Sequence, residues 1–129
     1  MSAVPVPRFL SAELAQAVHD RQLAEHGGKG GVKDAGLLDS AIARPLNNHS
    51  YGEHDLCALA AAYAFGIARN HPFADGNKLT AWVMARLFLR LNDVALAFDK
   101  ADAVQVMLAL AAGELAEDAL ADWFRARAV

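Results

Sequence analysis

The sequence predicts an all-α fold: a compact domain of five or six helices around one buried central helix. Three observations carry this. Alanine supplies 29 of 129 residues, against nine glycines and four prolines, and alanine loses no side-chain entropy on entering a helix. Capping residues stand before several apolar runs of helical spacing. One run, Leu56–Ala68, is thirteen residues without a charge, which suits a helix buried on all sides and is too short to span a bilayer.

The elements follow in order. Ser11 caps the first helix, with Glu13 in its first turn; Leu10, Leu14, Ala17 and Val18 recur on one face, and Gly27-Gly28 ends it. Gly27–Gly31 holds four glycines around Lys29. A phosphate-binding loop needs a preceding strand and G-x-x-x-x-G-K-[ST] spacing, both missing here, so the segment reads as a flexible connection. Asp34 caps a short second helix bearing Leu37, Leu38, Ala41 and Ile42, which Pro45 is expected to stop. Asn47–Glu53 reads as a surface loop. Asp55 caps the third, central helix, Leu56 to about Arg69. The fourth runs from Asn77 to about Leu91, with Leu79, Val83 and Leu87 as its apolar stripe and Lys78, Arg86 and Arg90 on another face. Asn92-Asp93 ends it. Val94–Phe98 alternates weakly, as a short extended piece does. A fifth helix starts at Asp99 or Asp102 and closes at Gly113; a sixth covers about Glu117–Ala126.

Composition excludes several classes. A single cysteine, Cys57, leaves no disulfide framework or multi-cysteine zinc site, and suits a reducing compartment. A net charge of −3 gives no global basic footprint, so no direct nucleic-acid binding is expected. Met1–Arg8 lacks the basic start and apolar stretch of a signal peptide, and the whole of 1–129 reads as one domain without repeat or linker. His49 and His54 flank Glu53 and Asp55, but their spacing fits no zinc pattern and they read as surface polar residues. Trp82 and Trp123 read as core or partner-contacting.

The chemistry concentrates in Asn70–Thr80, N-H-P-F-A-D-G-N-K-L-T, between two helices and opening the second. A helix start carries unpaired N–H groups and about half a positive charge, an anion site in itself. Gly76 allows close backbone approach; Asn77 adds a neutral donor; Lys78 adds a full charge. A cation there opposes the helix dipole by about 0.3–1 kcal/mol unless an anion compensates. Asp75, a carboxylate beside that cradle, has the chemistry of a magnesium ligand. His71 has that of a general base near neutral pH. The Phe73 ring is placed to anchor the loop. Each residue also has an ordinary reading: His71 as a structural or solvated histidine, Asp75 as the cap of the next helix, Lys78 as a solvated charge.

The stretch resembles the signature of the Fic/Doc superfamily, H-x-F-x-[D/E/N]-[G/A]-N followed by a discriminating residue. It is most similar to the death-on-curing (Doc) branch, where that residue is lysine, as is Lys78. Asp34–Leu38 (D-A-G-L-L), Ala43-Arg44-Pro45, Arg69-Asn70-His71 and Leu87–Asn92 (L-F-L-R-L-N) extend the likeness over most of the chain. The resemblance implies a cytoplasmic bacterial toxin of a toxin–antitoxin pair. It implies an ATP- and Mg2+-dependent kinase that phosphorylates a threonine of elongation factor Tu and stops translation. By the same resemblance His71 deprotonates the threonine, Asp75 binds magnesium, and Gly76, Asn77 and Lys78 hold phosphates with Arg69 beside them. An antitoxin with a disordered C-terminal segment, folding into a groove near the site, is the implied partner. Two alternatives stand beside the kinase. One is AMP transfer on the same scaffold, against which Lys78 and Trp82 argue, since that chemistry has glycine and arginine at these places. The other is a silent protein that only binds its antitoxin. Leu79 supports it: the family carries arginine there, and leucine cannot fork onto phosphate oxygens, so attenuated activity is expected.

Overall fold

A computed structural model describes residues 6–129; part of Met1–Arg8, on which the signal-peptide expectation rested, lies outside them. Six helices follow one another: α1 (Ala12–His26), α2 (Ala35–Ser50), α3 (Leu56–Asn70), α4 (Asn77–Leu91), α5 (Lys100–Ala111) and α6 (Glu117–Arg127). No strand occurs among the described residues, only two isolated antiparallel bridges, Val32 with Phe73 and Leu96 with Ala128. No helix there is long and apolar enough to cross a membrane.

The expected caps form. Ser11 accepts from the Leu14 N–H, Asp34 from Leu37 and Asp55 from Cys57. Helix α3 is the centre, packed against α2, α4, α5 and α6, with Leu59–Ala64 and Gly66–Ala68 all buried. Its small residues let neighbours approach closely: a methyl on Gly66 would sit 3.2 Å from the Ala41 Cα of α2. At the far side, Trp82, Phe98, Trp123 and Phe124 form an aromatic cluster joining α4 to α6. The Val94–Phe98 segment is extended and pairs with the C-terminus, the Ala97 N–H donating to the Arg127 carbonyl at 2.8 Å.

Three expectations are corrected. Pro45 does not stop α2; it lies inside the helix, buried, and the helix continues to Ser50. An interior proline costs about 3 kcal/mol. Here the buried face Leu38, Ala41, Ile42 and Pro45 offsets that cost against α3. The expected Asn47–Glu53 loop therefore shrinks to a turn at Tyr51-Gly52. On α4 the deepest face is Ala81, Met84, Ala85, Phe88 and Leu89, whereas Val83 and Leu87 are half-buried and Leu79 is 36% exposed. Alanine and methionine meet the alanine-rich α3, and the bulkier stripe lines surface grooves instead. A smaller shift occurs on α1, where Ala15 and His19 are buried and Ala17 is exposed.

Candidate functional site

The site is the six-residue connection between α3 and α4, and both helix ends shape it. Helix α3 ends at His71, whose backbone is left-handed at φ 49, ψ 56 and whose N–H donates to the Ile67 carbonyl. That turn leaves the His71 side chain exposed while Pro72 and Phe73 go inward. Phe73 is 1% exposed, and its ring stacks on that of His19 from α1, centroids 3.9 Å apart and planes 7° apart. Burying such a ring contributes about 1.5–3 kcal/mol, enough to fix where the loop enters the core.

Asn77 closes the loop. Its Oδ1 accepts the Phe73 N–H and its Nδ2 donates to the Phe73 carbonyl, both at 3.0 Å. The amide expected to face an anion is thus engaged with the loop, and the backbone N–H is what Asn77 offers to the cradle. Helix α4 starts from Gly76 at φ 76, ψ 16, with no side-chain cap. Asp75 is not the cap either: its Oδ1 accepts the Gly76 N–H at 2.9 Å, and its carbonyl receives His19 Nε2 at 2.7 Å.

The glycine-rich connection lies across this loop. Gly31 accepts from the Ala74 N–H at 3.3 Å, and the Pro72 carbonyl takes the N–H groups of Lys33 and Asp34 at 2.8 and 3.1 Å. A Cβ at Gly28 would stand 2.9 Å from Asp75 Oδ2, so glycine there keeps space beside the carboxylate. Sequence reasoning did not single out His19, and it read Gly28 only as a helix stop within a flexible connection. The one signal for His19 was its place four residues after Ala15; what it meets depends on the packing of α1.

The structure brings His71, Phe73, Asp75, Gly76, Asn77 and Lys78 together by construction of one short loop. It does not bring Arg69 to the cradle. The Arg69 guanidinium lies over the Phe65 ring at 5.6 Å and against Gly113, in a polar groove with Ser40, Arg44 and Asn70. Lys78 and Leu79 open onto a separate apolar groove of about 570 Å3, floored by Trp82, Phe98 and Met107. No group of three or more histidine, cysteine or acidic side chains able to hold a metal occurs among the described residues; the rings of His49 and His54 meet edge-on, centroids 5.0 Å apart.

The residues present fit a magnesium-bound nucleoside triphosphate. The start of α4 is uncapped, its flanking residue is glycine, Lys78 is exposed on the first turn, and Asp75 offers one solvent-facing carboxylate. Magnesium is ordinarily held by one or two carboxylates with phosphates and waters, not by an all-protein cage.

The sequence profile of the Fic/DOC family matches residues 9–89. The chain belongs to the Fic/DOC family. Over 119 residues it is 36% identical to a protein described as "Protein kinase doc" of Escherichia phage P1, covering 92% of this chain and 94% of that one. It is 49% identical over 76 residues to "Toxin Doc" of Mycolicibacterium smegmatis (strain ATCC 700084 / mc(2)155), covering 57% and 58% of the two chains. The matched span of the Fic/DOC family holds His19, α3, the loop and all but the last two residues of α4.

Proposed function

We propose that this chain is the toxin of a toxin–antitoxin pair and acts as a protein kinase, moving the terminal phosphate of ATP to a threonine of elongation factor Tu. The observation that carries the reading is the exposed His71 beside an uncapped helix start bearing Lys78. The likeness along most of both chains to a relative described as a protein kinase supports it.

When bound, Mg2+–ATP supplies the phosphoryl group and the charge neutralisation that lets ADP leave. His71 takes the threonine hydroxyl proton as the oxygen attacks the terminal phosphorus; one P–O bond forms and the P–O bond to ADP breaks. Asp75 would hold the magnesium through its exposed carboxylate. The N–H groups at the start of α4 and the Lys78 ammonium stabilise the phosphate oxygens, and the loop's anchoring at Phe73 keeps these groups in place. Lysine instead of glycine after Asn77 narrows and charges the cradle, which favours seating a terminal phosphate there over AMP transfer.

The antitoxin's seat, on this reading, is the apolar groove beside Lys78. Leu79, Val104 and Leu108 line it, each at least 36% exposed, and Lys78, Arg86 and Lys100 make its rim basic. An acidic amphipathic segment suits such a groove. Incubation with elongation factor Tu, Mg2+ and ATP, followed by intact-mass measurement, tests the activity. A gain of one phosphate on the target is the expected result. A gain of AMP supports the transferase alternative, and no gain overturns the kinase reading for this target and leaves the silent binder standing.

A further inference from the structure

We propose that His19 is a positioning residue of the site: its buried imidazole fixes the Asp75–Gly76 peptide and thereby aims both the carboxylate and the anion cradle. What the cradle holds rests on the kinase reading; the geometry of His19 does not.

His19 lies on α1, 56 residues before Asp75, and is 1% exposed. A buried imidazole facing a carbonyl oxygen at 2.7 Å must carry its proton on Nε2, because the carbonyl can only accept. In a trans peptide the C=O and N–H point in opposite directions. Holding the Asp75 carbonyl inward on His19 therefore turns the Gly76 N–H outward, where it meets Asp75 Oδ1 at 2.9 Å. Glycine at a left-handed position resists rotation of this peptide very little, so the orientation has to be imposed from outside. His19 imposes it three ways: the hydrogen bond, the stack on Phe73, and contact with Gly76, whose added Cβ would lie 3.6 Å from His19 Nε2. A residue that only filled space would be an apolar ring. The donor is the feature that packing does not require.

The test separates donor from volume. His19→Phe keeps a ring on Phe73 and has no donor; His19→Leu, smaller and also donorless, repeats the comparison. His19→Gln places an amide nitrogen near the Nε2 position without the ring. Amide relaxation by NMR reads the loop directly, and calorimetry reads Mg2+–ATP affinity. In His19→Phe and His19→Leu the Gly76 order parameter is expected to fall from the rigid range near 0.85 toward the flexible range below about 0.6. Mg2+–ATP affinity is expected to weaken about two- to tenfold, the effect of one hydrogen bond. KM for the protein target stays unchanged, and His19→Gln recovers most of both losses. A rigid Gly76 in the donorless variants, or a His19→Gln protein as impaired as they are, overturns the proposal. Should the wild-type protein bind no Mg2+–ATP, the kinase reading fails, while the Gly76 order parameters still decide the role of His19.

Discussion

The side-chain amide of Asn77 brackets the main chain of Phe73, accepting its N–H and donating to its carbonyl across four residues. This makes the α3–α4 loop a closed ring whose inward member, Phe73, is buried and whose outward members, His71 and Asp75, are exposed. Asn77→Ala opens both bonds and should destabilise the protein by about 1–3 kcal/mol in denaturant unfolding. Asn77→Asp keeps the acceptor but sets a carboxylate oxygen against the Phe73 carbonyl, so it should rescue little. A wild-type unfolding midpoint in both variants would show that the loop closes by other means.

His71 combines its proposed role as general base with an unfavourable backbone. Its φ of 49 is a conformation that side chains with a Cβ adopt at a cost. His71→Ala should reduce phosphate transfer about 10²–10⁴-fold, the contribution of a general base, with the fold intact. His71→Gly should be equally inactive yet about 0.5–1 kcal/mol more stable than His71→Ala, since glycine tolerates this backbone. Rate and denaturation midpoint of the pair separate the two roles: unchanged transfer in either variant removes His71 as the base.

Asp75 is the one carboxylate in the sequence of the loop, and it is exposed. Asp75→Asn keeps an oxygen for the Gly76 N–H and removes the charge. ATP affinity should therefore drop in the presence of Mg2+, and the difference from wild type should largely vanish when Mg2+ is withheld from both. Calorimetric titration under the two conditions reads this; equal affinities with Mg2+ present would take Asp75 out of the metal site.

Much of this was legible in the sequence because it is local. Ser11, Asp34 and Asp55 cap the helices they precede, since a cap needs only its own next three residues. The run Leu56–Ala68 had to be buried because no face of it is polar. The loop residues His71 to Lys78 share a site because a short connection leaves them nowhere else to go. What was not legible is non-local. Pro45 reads as a stop until the packing of α2 against Gly66 and its neighbours is known. Leu79, Val83 and Leu87 outrank Ala81 and Ala85 in hydrophobicity, yet the face packed inward is Ala81, Met84, Ala85, Phe88 and Leu89, because the docking of α4 on the central helix, not hydrophobicity alone, sets which stripe is covered. His19 meets Asp75 only through the docking of α1; its place four residues after Ala15 puts it on the buried face but does not say what it meets.

Tyr63 ties the chain's start to the central helix and gives the fold a pH signature. Its hydroxyl, fully buried, accepts the Leu10 N–H at 2.8 Å and donates to the Leu10 carbonyl at 3.4 Å. Burial pushes its pKa from 10.0 up to about 12, with the Leu10 hydrogen bond acting weakly in the other direction. The folded state thus keeps its proton where the unfolded state has lost it. The stabilisation is complete below pH 10 and is lost as pH rises through about 12, by on the order of 2–3 kcal/mol in total. Tyr63→Phe should be less stable at neutral pH by the lost hydrogen bonds and should show a flatter decline between pH 10 and 12. Equal slopes in urea titrations across that range would mean that Tyr63 is not the titrating group.

Leu79 is where the chain departs from the pattern it otherwise follows, and the structure decides between its two possible surroundings. The side chain is 36% exposed and lines the groove with Lys78, Trp82 and Val104 rather than the face packed on α3. Arginine at this position therefore has a route to water and no unpaired burial to fear. Leu79→Arg should fold with an unchanged melting temperature. It should gain phosphate affinity and transfer rate by about tenfold or more, since a charge-assisted hydrogen bond contributes about 1.5–3 kcal/mol when made in the transition state. It should also be more toxic in cells lacking the antitoxin. The same substitution takes an apolar contact out of the groove, so antitoxin affinity should fall while catalysis rises. Transfer rate, melting temperature and antitoxin binding measured on one preparation separate these effects. A folded Leu79→Arg protein that transfers phosphate no faster than the parent would mean that leucine does not limit this enzyme, and that the phosphates are held by Lys78 and the α4 N–H groups alone.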